Sequence, residues 1–135
     1  ANAFGANFEA LFKEHGLTSA QYNTLRILRD APREGLSCQQ ISNALIQRDP
    51  DVTRLADRME ERGLVVKERA KNDRRVVLVK LTDKGIRLVN ELDWPVAQRH
   101  IEGLTSLSPA ERRQFLELLQ KLLDAHNPCK TVFSP

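Results

Sequence analysis

The hydrophobic period of this chain switches directly after Gly63. Before that glycine, apolar residues recur at helical spacing. After it, Leu64-Val65-Val66-Lys67-Glu68-Arg69 and Val76-Val77-Leu78-Val79-Lys80-Leu81 read as strands, the second rich in β-branched residues. Between them lies a polar tip, Ala70-Lys71-Asn72-Asp73-Arg74-Arg75. A β-hairpin with a basic tip, set into an otherwise helical sequence, limits the fold more than any other feature.

The flanking helices can be placed from stripes and stop signals. Phe4, Phe8, Leu11 and Phe12 form one apolar stripe, ended by Gly16. Thr18 to Gln21 is a capping box, followed by Tyr22, Leu25 and Leu28, and Pro32 closes that second helix. Ser37 to Gln40 is another capping box, with Cys38, Ile41 and Leu45 sharing a face of a short third helix. Asp49-Pro50 reads as N-cap plus proline at N1 of a fourth helix. Val52, Leu55, Ala56 and Met59 are its inward stripe, Asp51, Arg54 and Arg58 face outward, and Gly63 is its C′ stop. Thr82 opens a long helix with Ile86, Val89, Leu92 and Val96 inward; Pro95 is expected to kink it. Ser108-Pro109-Ala110-Glu111 starts the last helix, whose stripe is Phe115, Leu118, Leu119, Leu122 and Leu123, and Asn127-Pro128 ends it.

The order is α-α-α-α-β-β-α-α: a mainly α fold with a small β-hairpin wing, a winged helix-turn-helix with flanking dimerisation helices. Its 135 residues fit one domain, with a winged helix-turn-helix lobe at 18–82, flanking helices at 1–16 and 83–126, and a loose tail at 127–135. The first and last helices would expose a large apolar surface unless they packed on each other or on a second subunit. With 41% hydrophobic and 29% charged residues, the composition argues against disorder. No apolar run approaches the roughly 18 residues of a membrane span, and no secretory segment opens the chain. Cys38 and Cys129 are too few for a disulfide framework or a structural zinc site, so a cytoplasmic, reducing setting is expected. Because the chain does not begin with Met, further residues are expected before Ala1.

Net charge is +3, but residues 65–80 alone carry +4. Such a block suggests a polyanion contact; a solvated surface stretch is the other reading.

Two segments then resemble a known family. Asp51-Val52-Thr53-Arg54-Leu55-Ala56-Asp57-Arg58-Met59-Glu60-Glu61-Arg62-Gly63-Leu64-Val65 is similar to the recognition helix of MarR-family (multiple antibiotic resistance regulator) repressors. Asn72-Asp73-Arg74-Arg75, with the strand and Leu81-Thr82-Asp83-Lys84-Gly85 after it, is similar to that family's wing signature, D-x-R followed by L-T-x-x-G. The resemblance implies a homodimer on a pseudo-palindromic operator in double-stranded DNA, usually a repressor, released by a small phenolic or other aromatic effector or by an oxidant. The turn Ile46-Gln47-Arg48-Asp49-Pro50 departs from the glycine and small residues of many relatives, so their operator sequences do not transfer.

DNA chemistry assigns roles to particular residues. A groove-reading helix uses its N-terminal side chains, here Arg48, Asp51, Thr53 and Arg54, with Arg58 one turn on. Arg54 could bind guanine in bidentate fashion and Asp51 could accept from cytosine N4. Asp51 could instead serve the helix dipole, and Arg58 could pair with Asp57, Glu60 or Glu61. Ser37, Gln39 and Gln40 are placed to hold phosphate, whether or not Ser37 and Gln40 also cap their helix. By resemblance, Asp73 orients Arg75 into the minor groove, while Lys71 and Arg74 touch phosphates.

Cys38 is expected to be a buried structural thiol; Cys129 could link subunits on oxidation. His15, His100 and His126 are scattered, so no metal site is expected. By resemblance, Phe12, His15, Tyr22, Arg26 and Trp94 could line an effector pocket, with core or dimer packing as the alternative. No glycine-rich phosphate loop and no nucleophile–base signature suggests an enzyme, and no cofactor is expected. A winged-helix protein-interaction module stays open beside the DNA-binding regulator.

Overall fold

Most helix starts are made by the side chains that the sequence supplies for them. The computed structural model describes residues 3–46 and 51–126. Its elements are α1 (Ala3–Glu14), α2 (Ser19–Arg29), β1 (Leu36–Ser37), α3 (Cys38–Ala44), α4 (Val52–Glu61), β2 (Val65–Arg69), β3 (Val77–Leu81), α5 (Asp83–Glu102) and α6 (Pro109–His126). Before α2, Thr18 Oγ1 accepts from the Gln21 N–H at 3.1 Å, and Gln21 Oε1 accepts from the Thr18 N–H at 3.0 Å. Ser37 and Gln40 repeat that box for α3, and Ser108 and Glu111 repeat it for α6. Thr82 Oγ1 accepts from the Gly85 N–H at the start of α5. Each box satisfies two backbone donors that a helix start leaves without partners.

The start of α4 departs from expectation. It begins at Val52, and Asp51 Oδ1 caps it by accepting from the Arg54 N–H at 3.0 Å. The carboxylate of Asp51 takes that donor, two residues beyond the expected Asp49-Pro50 start. Asp49 and Pro50 lie outside the described residues, as do Arg48, Cys129 and the tail 127–135. The other end is as expected: Gly63 follows the C-cap Arg62 at φ +71°, a left-handed conformation that suits glycine. Helix α5 runs through Pro95 as one element.

The sheet has one strand more than the sequence suggested. Leu36 pairs with Val79 and Ser37 with Leu78, so β1 joins the hairpin in the order β1-β3-β2, all antiparallel. Ser37 therefore belongs to the sheet and caps α3 at once. Cys38 is half-buried, a correction to the buried thiol expected beside Ile41 and Leu45: it stands at the first helical position, just past the sheet edge, whereas Ile41 and Leu45 turn inward.

Contacts divide the chain into two units, residues 12–89 and residues 1–11 with 90–135. The first holds α2, α3, α4 and the sheet around a core of Leu25, Ile41, Met59, Leu64, Val65 and Val79. The second buries Leu92, Val96 and Ile101, and Phe8 lies 4.6 Å from His100 between ring centroids. In that unit α6 leaves Phe115, Leu118 and Leu122 exposed at 47%, 57% and 60%.

The α6 box gives a direct check. Hydrogen bonds from the Ser108 N–H, and then its hydroxyl, hold the Glu111 carboxyl below its ordinary pKa. A carboxyl lowered on folding stabilises the fold above its unfolded pKa, and that contribution disappears as pH falls through the lowered folded value. Ser108→Ala should cost about 1 kcal/mol, read from the urea midpoint at neutral pH. An unchanged midpoint would mean that this helix start contributes nothing to the cooperative fold.

Candidate nucleic-acid interface

Three exposed features of residues 12–89 carry the residues singled out for DNA. On α4 the inward positions Val52, Leu55, Ala56 and Met59 are buried, which turns Thr53, Arg54 and Arg58 to solvent. Among the described residues neither the Arg54 nor the Arg58 side chain is held in an ion pair. Two of the three carboxylates that could have taken Arg58 are used elsewhere: Asp57 pairs with Lys67 Nζ, and Glu60 Oε2 accepts from the Lys67 N–H at 2.9 Å. Lys67 thus ties the outer side of α4 to β2, a role that no local pattern announced.

Ahead of α3, Ser37 and Gln40 are bound into their capping box, and Gln39 Nε2 donates to Asn43 Oδ1 at 3.1 Å one turn on. Gln39 and Gln40 remain exposed. Asp51 is engaged as the α4 cap.

The hairpin tip presents Arg75. Its Nε donates to Asp73 Oδ1 at 3.1 Å, its Nη2 to Oδ2 at 3.3 Å, and its backbone N–H to Oδ1 at 3.1 Å. The side chain is still 92% exposed, so the pairing aims the guanidinium without hiding it. The turn is closed by Ala70 N–H to Val76 O at 2.9 Å and by Arg69 Nη1 to Arg74 O at 2.7 Å. Lys71 and Arg74 are exposed beside it. The Arg75 side chain, and then its backbone N–H, lower the Asp73 pKa. The pair is therefore intact above the ordinary carboxylate range and is lost as pH falls through the lowered value. In Asp73→Asn the charge is gone, so the Arg75 Nε–H resonance should lose its acid-range titration. A resonance that titrates as in the wild type would refute the pairing.

Of the five residues considered for an effector, Phe12, His15, Tyr22 and Arg26 lie in residues 12–89. Phe12 and Tyr22 are buried and stack at 4.3 Å, and the Arg26 guanidinium lies 5.9 Å from the centre of the Tyr22 ring. His15 is half-buried in the turn after α1. Trp94 belongs to the other unit. No group of three or more metal-ligating side chains occurs among the described residues, and no described helix is long and apolar enough to cross a membrane.

Comparison with known proteins bears on this geometry. A family model described as the MarR family matches residues 15–76. The regulator TtmR of the helix-turn-helix type, from Methylorubrum extorquens (strain PA1), is 35% identical over 124 residues, covering 92% of this chain. The chain spans 62% of the length of TtmR. The crystal structure of a MarR transcription factor from Planctomyces limnophilus is 40% identical, with a TM-score of 0.67 over 86% of this chain and 84% of that one. The chain belongs to the MarR family. The curated relatives it matches are named transcriptional regulators, which favours the regulator over the interaction module. The mainly helical fold with a small antiparallel sheet is that of MarR winged-helix structures. BpsR of Bordetella bronchiseptica is 31% identical, with a TM-score of 0.68 over 90% of this chain and 85% of its own; its structure concerns regulation of its DNA binding by 6-hydroxynicotinic acid.

Proposed function

We propose that this chain is a homodimeric, sequence-specific DNA-binding repressor that a small aromatic ligand releases from its operator. The observation that carries the reading is the pairing of Arg75 with Asp73 on an exposed tip, beside a helix whose Arg54 and Arg58 face solvent. Helix α4 enters a major groove, where Arg54 reads a base edge and Arg58 reads or holds the next turn. Arg75 enters the adjacent minor groove, whose negative potential attracts an inserted guanidinium. Lys71, Arg74, Gln39 and the Ser37–Gln40 start of α3 hold phosphates and set register.

The second copy covers α6. Phe115, Leu118 and Leu122 recur at helical spacing, and their exposure is the kind of patch that marks an interface. In such a dimer two copies of α4 lie roughly 34 Å apart, one turn of DNA, so the operator is a pseudo-palindrome. Release by an aromatic ligand is supported by BpsR, whose DNA binding is regulated by 6-hydroxynicotinic acid. The ligand weakens binding by changing the separation of the two lobes.

The test is fluorescence anisotropy on a duplex enriched from a random pool, beside a scrambled duplex, titrated with salt. Tight, selective and salt-steep binding is expected, since each neutralised phosphate releases counterions. Flat, weak binding to both duplexes would overturn the reading. Analytical ultracentrifugation should give a dimer.

A further inference from the structure

The C-terminal end of α4 is bonded both to the turn that ends α1 and to the first turn of α5. Arg62 caps α4, and its guanidinium crosses to the turn after α1, donating from Nη1 to the Gly16 carbonyl and from Nη2 to the His15 carbonyl at 3.1 Å. A cation suits the C-terminal end of a helix, where carbonyls point outward without intrahelical partners. The Arg62 carbonyl in turn accepts from Lys84 Nζ at 2.8 Å, in the first turn of α5. Beside it, the Gly63 carbonyl accepts from Thr82 Oγ1 at 2.6 Å.

The two helices reached in this way share a property. Helices α1 and α5 are the elements in which the chain passes between residues 12–89 and the other unit, at residues 11–12 and 89–90. All the bonds just described lie within residues 12–89. Whatever turns α1 or α5 inside that lobe therefore acts on the C-terminal end of α4 through Arg62 and its neighbours. Arg54 sits at the opposite, N-terminal end of α4 and Arg58 one turn before Arg62, whose guanidinium is occupied by the His15 and Gly16 carbonyls.

We propose that Arg62 is a positioning residue for DNA reading: it sets the tilt of α4 against the two helices that lead out of the lobe. The inference rests on the proposed role of α4 in the major groove. Arg62→Gln removes the double contact to His15 and Gly16, Arg62→Lys keeps one donor, and Lys84→Met removes the contact to α5.

Two measurements separate positioning from plain stability. Without DNA, amide exchange in Arg62→Gln should rise about tenfold at the last turn of α4 and at the end of α1, while the β2–β3 amides keep their protection. On the enriched duplex, Arg62→Gln should lose about tenfold in affinity and Arg62→Lys less. On the scrambled duplex both should stay within about twofold of wild type, with the same salt slope. Lys84→Met should act in the same direction. Exchange that rises evenly through the lobe, or a variant that still discriminates between the duplexes as wild type does, would overturn the role given to Arg62. A wild type that enriches no duplex would instead overturn the DNA reading itself, and the exchange measurement would still report on the contact.

Discussion

Gly85→Ala should destabilise the protein by about 3 kcal/mol, as overpacking against a backbone atom that cannot step aside. A Cβ on Gly85 would stand 2.2 Å from the Leu64 carbonyl oxygen and 3.1 Å from Leu81 Cδ2. That oxygen is fixed, because it accepts from the Thr82 N–H at 3.1 Å. Leu64 itself is fully buried. Relief would require the start of α5 to withdraw from the turn between α4 and β2, breaking the Thr82 bonds and uncapping the helix. This is why a glycine follows Leu81-Thr82-Asp83-Lys84: the helix start passes against a backbone carbonyl with no room for a side chain. Urea unfolding measures the loss as a lower midpoint with an unchanged slope. A midpoint equal to that of the wild type would mean that α5 and the Leu64 turn can separate at little cost.

Arg54→Ala should cost about 1–3 kcal/mol of operator binding and flatten the preference at one base position. Only the backbone N–H of Arg54 is used internally, in the Asp51 cap, so truncating the side chain leaves the start of α4 intact. The fold should therefore be unchanged in the far-ultraviolet circular dichroism spectrum. The loss should be far smaller on a scrambled duplex, because a base-edge contact carries sequence information and a phosphate contact does not. Equal losses on both duplexes would reassign Arg54 to the phosphate backbone.

Local signals explain what could be read in advance. The Thr18, Ser37 and Ser108 boxes work across three residues and need nothing distant, so their helices start where the spacing placed them. The hairpin showed itself through a change of period, and the Asp73–Arg75 pair spans two residues. Strand β1 was invisible because two residues cannot display an alternation; Leu36 and Ser37 are a strand only because Val79 and Leu78 lie beside them. The start of α4 was misplaced because Asp49-Pro50 and Asp51 both carry capping chemistry, and Asp51 bonds the Arg54 N–H. Lys67 on Asp57 and Arg62 on Gly16 join residues ten and 46 apart, which no spacing rule connects.

Ser37 holds two offices, as a rung of the sheet opposite Leu78 and as the lid of α3. A change there would disturb the hairpin and the helix-turn-helix together, so the two cannot be adjusted separately through this position. Freedom to re-aim the wing alone begins beyond the last paired rung, Arg69 opposite Val77. The five residues Lys71-Asn72-Asp73-Arg74-Arg75 can change length or charge without altering how α4 is seated. Divergence of operator preference among related chains would then find its cheapest outlet at the tip, and redesign of specificity should begin there.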